Sequence, residues 1–201
     1  MTKQNAYQTW RLFWALPLPA HLQDEIAAIQ KELARVMPTN SVRWTPPHHI
    51  HLTLVFLGNW KRSDIPRLKE GVEEALLGIP PFALEVEAAG VFPTWRRPRV
   101  IWLGVGGDVD VLKRLQSAVA RAMVQAGWEP EKRPYSPHLT IGRVRKGLDD
   151  ATLARIGDAV RRLKVDPFGR HQVQEVILFR SDLRPTGAVY TPVAQVKLVE
   201  S

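Results

Sequence analysis

The sequence predicts an α+β fold with antiparallel or mixed sheets. Three observations carry this: four amphipathic helical stripes, a set of short β-rich runs, and an order of the two that lacks the strict alternation of a doubly wound parallel sheet. With 201 residues, 45% apolar and 24% charged, the chain has room for one large domain or two small lobes.

Arg11 to Leu16 (RLFWAL) is short and apolar and stops at Pro17, which predicts a buried strand. Leu22, Ile26, Ile29, Leu33 and Val36 form a helical stripe that Pro38 ends. Val42 to Trp44 predicts a short strand, and Ile50 to Leu57 (IHLTLVFL) a longer one that Gly58 closes. Ile65, Leu68, Val72 and Leu76 mark a second helix. Strands are expected at Phe82 to Ala88 and Val100 to Val105, joined by a loop that holds Trp95, Arg96, Arg97 and Arg99. Val109, Leu112, Leu115, Val119 and Met123 mark a third helix, ending at Gly127. A strand at His138 to Val144 follows, then a helix through Leu153, Ile156, Val160 and Leu163, and two closing strands near 175–179 and 189–198. No linker divides the chain.

The absence of cysteine excludes disulfide scaffolds, thiolate metal sites and thiol nucleophiles, and fits a reducing compartment. No run approaches the ~20 apolar residues of a membrane span, so a soluble, cytoplasmic protein with no membrane partner is expected, and monomer is the default state. The net charge of +8 is unevenly placed. Residues 1–90 hold nine Lys/Arg against nine Asp/Glu, whereas 91–201 hold nineteen against eleven. Arginine outnumbers lysine, and its planar fork suits phosphate oxygens, so a polyanionic partner is favoured.

One pattern occurs twice. His51-Leu52-Thr53-Leu54 and His138-Leu139-Thr140-Ile141 each open an apolar strand, and Pro47 and Pro134 each stand four residues upstream. Residues i and i+2 of a strand share a face, so each motif places an imidazole beside a hydroxyl while its two aliphatic residues turn to the core. Two such pairs at a central groove supply a base and an acid, His51 and His138, with Thr53 and Thr140 as donors to phosphate oxygens. That chemistry needs neither metal nor cofactor. His48, His49 and His51 form a dense group, but no carboxylate or thiolate stands near them to complete a metal site.

These motifs, with RLFWALPLP, VRWTPPHHIHLTLVFLG, GVFPTWRRPRVIWLGV, YSPHLTIGRV and LFRSDLRPTGAVY, resemble the 2H phosphoesterase superfamily, in its bacterial and archaeal RNA 2′,3′-cyclic phosphodiesterase (2′-5′ RNA ligase) branch. The resemblance implies residues 1–201 as a single bilobal domain, a pseudo-twofold duplicated fold. One motif would lie in each lobe, at 51–53 and 138–140, with sheets lining a central groove and helices outside. It implies hydrolysis of RNA 2′,3′-cyclic phosphate ends to 2′-phosphates, together with reversible, ATP-independent joining of 2′,3′-cyclic and 5′-hydroxyl RNA ends into a 2′-5′ linkage. It also implies Arg143 as a phosphate ligand, although ideal alternation puts Arg143 on the face opposite His138 unless the strand bends near Gly142. The branch usually carries Asn where His49 stands, which leaves that position open between ribose contact and strand cap.

For the rest of an RNA chain, Trp44 as a stacking ring, Trp95 with Arg96, Arg97 and Arg99, and Lys132 with Arg133, are the candidates. Phe56 shares parity with Leu52 and Leu54 and is expected in the core. Two alternatives stand beside the RNA-end enzyme: a noncatalytic RNA-binding module, against which both intact His-x-Thr pairs speak, and a phosphodiesterase for small cyclic nucleotides.

Overall fold

The computed structural model describes residues 8–130, 133–184 and 187–199. The strands are β1 (Thr9–Pro17), β2 (Val42–Trp44), β3 (His51–Lys61), β4 (Phe82–Thr94), β5 (Arg97–Gly107), β6 (His138–Val144), β7 (Phe168–Val173), β8 (Glu175–Arg184) and β9 (Gly187–Lys197). The helices are α1 (Ala20–Val36), α2 (Ile65–Ala75), α3 (Val109–Gln125) and α4 (Asp150–Arg162). Every pairing is antiparallel, in the order β7-β4-β5-β6-β3-β1-β8-β9, with β2 alongside the far end of β6.

The order is symmetric about the contact between the two motif strands. One arm is β3-β1-β8-β9 and the other β6-β5-β4-β7, and they meet at a single residue pair, Leu52 with Leu139. Helices α2 and α3 pack together on the first arm, against β9 and β3; α1 and α4 cover the second, against β7, β4 and β5. Neither arm is a continuous half of the sequence.

The helical stripes are buried as their spacing requires: Leu22, Ile26 and Leu33 on α1, Leu68 and Val72 on α2, Leu112, Leu115, Val119 and Met123 on α3, Ile156 and Val160 on α4. Val36 closes the α1 pattern in sequence but is exposed as the last residue of the helix, and Met37 after it is buried instead. Asp149 caps α4 by accepting from the Thr152 amide at 2.7 Å, an arrangement that stabilises a helix by about 1 kcal/mol.

Three expectations change. The Trp95–Arg99 loop shrinks to a tight turn, because β4 runs on to Thr94 and β5 begins at Arg97. Gly58 does not end β3. It sits inside the strand with φ +74°, where the register against β1 shifts, a conformation glycine adopts without strain. Strand β7, FGRHQV, was not expected, since two of its residues are charged or imidazole side chains and only Val173 is buried.

Past Leu52 the motif strands separate, and side chains take over the backbone acceptors that a neighbouring strand would have used. The Tyr135 hydroxyl donates to the Thr53 carbonyl (3.2 Å), Gln116 Nε2 to that of Leu54 (3.4 Å), and Trp128 Nε1 to that of Phe56 (2.9 Å). On the other arm the buried Gln30 donates to the carbonyls of Thr45 (2.7 Å) and Ile141 (2.8 Å). Gln116 on α3 and Gln30 on α1 thus serve the residues three after His51 and three after His138, Leu54 and Ile141.

Candidate active site

The single bridge fixes how the motifs face each other. Antiparallel register through Leu52 and Leu139 sets His51 across from Thr140 and Thr53 across from His138. Leu52, Leu54, Leu139 and Ile141 are buried, so the two imidazoles and two hydroxyls lie together on the opposite, groove-facing side. Each histidine is held the same way. His51 Nδ1 lies 2.8 Å from the His49 carbonyl and His138 Nδ1 lies 2.7 Å from the Ser136 carbonyl. A carbonyl oxygen only accepts, so both Nδ1 atoms carry hydrogen and donate, and each Nε2 is left to exchange a proton with a ligand.

Their surroundings differ. The His51 ring meets Phe13 of β1 at 4.8 Å, Tyr190 of β9 edge-on at 5.0 Å and Phe179 of β8 at 6.1 Å. This burial disfavours the imidazolium and lowers the His51 pKa to about 4; the hydrogen bond to the His49 carbonyl opposes the shift only in part. His138 has Phe92 of β4 edge-on at 5.1 Å and Trp102 of β5 at 6.5 Å. The Trp102 indole lies over Gly90, where a Cβ would come within 2.2 Å of its ring, so glycine is required beneath it. Burial also raises the Tyr135 pKa well above the usual phenol value, which keeps its hydroxyl a donor.

The parity problem at Arg143 is solved by a β-bulge. Opposite β5, Trp102 pairs with Thr140 and Ile101 with Gly142, which leaves Ile141 without a partner. The extra residue reverses the alternation, so Ile141 and Gly142 are both buried and Arg143 returns to the face of His138. The bend lies one residue before the expected Gly142. Strand β3 carries the same device. Ala15 pairs with Thr53 and Trp14 with Val55, leaving Leu54 unpaired, and Leu54 and Val55 are both buried. Phe56 is thereby moved out of the core, where simple alternation put it: it is 51% exposed, pairs with Phe13 and lies 5.8 Å from that ring. Arg143 and Phe56 occupy equivalent places, five residues after each histidine.

A family model described as the 2′-5′ RNA ligase superfamily matches residues 18–184. The chain belongs to this superfamily, the 2H phosphoesterases. Among relatives, a protein of Methanothermobacter thermautotrophicus named RNA 2′,3′-cyclic phosphodiesterase is 35% identical over 181 residues, covering 90% of this chain and 95% of that one. The crystal structure of TT0787 of Thermus thermophilus superposes with TM-score 0.74 at 26% identity, over 94% of this chain and 97% of that one. Escherichia coli LigT complexed with 3′-AMP gives TM-score 0.68 at 28% identity, over 96% and 100%. The present chain is an enzyme of the cyclic phosphodiesterase kind within the 2H phosphoesterases.

The other candidates of this 2H phosphoesterase have varied surroundings. Trp95 packs on α4, its carbonyl pressed against Gly157 and its ring under the Arg161 guanidinium at 5.0 Å, so it is not open to a base in the groove. Arg97 is paired with Asp150 at 2.7 Å. Arg96, Arg99 and Arg133 are exposed, and Lys132 lies outside the described residues. His49 stacks edge-on with His48 (4.2 Å) and Tyr190 (5.4 Å), and its carbonyl orients His51. Trp44 packs with Val42 beneath Gly142 rather than in the groove. The aromatic partners Phe13, Phe179 and Tyr190 were missed because three separate strands supply them. No helix among the described residues is long and apolar enough to cross a membrane.

Proposed function

We propose that the enzyme hydrolyses RNA 2′,3′-cyclic phosphate ends to 2′-phosphates by acid–base catalysis between His51 and His138. The observation that carries this reading is the crosswise placement of His51 with Thr140 and Thr53 with His138, both imidazoles orienting Nε2 by the same Nδ1–H donation. A phosphorus between the two strands is within reach of an imidazole from either side. One Nε2 takes a proton from water as its oxygen bonds to phosphorus; the bond to the ribose 3′-oxygen breaks, and the other Nε2–H protonates that oxygen. Thr53, Thr140 and Arg143 donate to the nonbridging oxygens as negative charge grows there. Ligation follows the same course with the 5′-hydroxyl of a second RNA in place of water: its oxygen bonds to phosphorus, the bond to the ribose 3′-oxygen breaks, and a 2′-5′ linkage results. In the reversal of that step the 3′-hydroxyl attacks, the 5′-oxygen leaves, and the two histidines exchange acid and base roles. The arms act as two lobes of one domain, each bringing one motif to the groove.

The exposed Phe56 ring beside Phe13 supports a nucleoside stacked on the β3 side, and the groove-facing Arg143 supports the phosphate on the β6 side. The test is turnover of an oligonucleotide with a 2′,3′-cyclic phosphate end, in EDTA, by wild type, His51→Ala and His138→Ala. Wild type should yield a 2′-phosphate and both variants should fall by orders of magnitude. Undiminished turnover in either variant refutes the mechanism.

A further inference from the structure

Strand β2 extends the groove beyond the histidines. It runs on the same side of β6 as β3 does, with Val42, Arg43 and Trp44 paired to Val144, Arg143 and Gly142. Val42 and Trp44 both pack where a Cβ on Gly142 would lie, on the buried face of β6. Arg43 stands between them in the strand, so it points the other way, and its partner across the ladder is Arg143, which the bulge at Ile141 has turned to the groove.

Two guanidinium-bearing residues therefore stand directly opposite on neighbouring strands, both exposed, on the face that carries the catalytic imidazoles. Like charges in this relation repel, and among the described residues neither has a carboxylate within ion-pair distance. The arrangement is stabilised when anions occupy the space between and beside them. Arg143 follows Thr140 along β6 and serves the reacting phosphate. Arg43 is one strand further across, about 5 Å of sheet from Arg143, and is placed for a second anion.

We propose that Arg43 binds the phosphodiester on the 5′ side of the terminal nucleoside, which makes the enzyme selective for a cyclic phosphate at the end of an RNA chain over a free cyclic mononucleotide. This rests on the cyclic phosphodiesterase reading above, and the experiment separates the two. Three probes are compared: uridine 2′,3′-cyclic phosphate, the dinucleotide UpU with a 2′,3′-cyclic phosphate end, and the same dinucleotide with a neutral methylphosphonate linkage. For wild type, kcat/KM should be about tenfold higher on the charged dinucleotide than on its neutral analogue, the size of one charge-assisted contact. Arg43→Gln should remove most of that ratio, and Arg43→Lys should restore part of it. The slope of log kcat/KM against log salt on the charged dinucleotide should become shallower by about 0.7, one single-strand phosphate contact. Urea unfolding of Arg43→Gln should show stability equal to or above wild type, since one of two facing cations is gone. An unaltered ratio between charged and neutral dinucleotides in Arg43→Gln overturns the assignment. So does an equal loss on all three probes, which would place Arg43 at the reacting phosphate. Failure of wild type to open any of the three would overturn the underlying activity instead.

Discussion

The aromatic burial of His51 makes folding stability depend on pH in a way that one substitution isolates. The ring is lowered from its ordinary 6.5 to about 4 because Phe13, Phe179 and Tyr190 exclude water from the imidazolium. Below pH 6.5 the unfolded chain takes up a proton at this position that the folded chain refuses. The stabilisation is therefore complete above the unfolded value and is lost as pH falls towards about 4. At about 1.4 kcal/mol per pKa unit the whole effect is about 3 kcal/mol, and about 2 kcal/mol of it disappears between about pH 7 and about pH 5. His51→Gln has no group to titrate, so it should lose about 2 kcal/mol less than wild type over that interval, whatever its absolute stability. Urea unfolding of both proteins at the two pH values measures the difference, and imidazole NMR titration of wild type locates the value directly. Equal losses in the two proteins would show that His51 is not held neutral by its surroundings.

Arg143→Gln should lower kcat/KM on a cyclic mononucleotide about ten- to hundredfold, the loss of a charge-assisted phosphate contact, with little change in urea unfolding. Phe56→Ala should raise KM about tenfold for substrates with a base and leave folding nearly unaltered, as expected for a stacking face rather than a core residue. Gln30→Leu should cost about 1–3 kcal/mol, because it takes the side-chain donor from the Thr45 carbonyl and one of two donors from the Ile141 carbonyl, which keeps the Thr45 amide at 2.9 Å. An unfolding midpoint equal to wild type would mean that water replaces the glutamine there.

The four helices and both motif strands were legible because each depends on a local period: spacing of three and four for the helices, alternation for the strands. The bulges at Leu54 and Ile141 were not legible, since they consist in the lack of a partner on β1 and β5, a property of two strands rather than one. From that one omission came the placement of Phe56 in the core and the difficulty over Arg143. Arg43 was overlooked for a related reason: a lone arginine in a three-residue strand gains meaning only from the residue opposite. Trp95 drew attention through its arginine neighbours, yet the close approach of Gly157 on α4 decides where it goes.

The interleaving of the two arms bears on how the molecule comes into being. Strand β1 pairs with β3 early in the chain, but its other edge waits for β8, with Phe13 finding its partner only at Phe179. Two walls of the His51 enclosure, Phe179 and Tyr190, arrive last of all. During synthesis the first motif therefore exists for most of the chain's length beside an unpaired strand edge, and contacts this distant in sequence form slowly. The first motif therefore cannot be liberated with its own half of the sequence and keep its surroundings: the aromatic enclosure of His51 is completed only by β9.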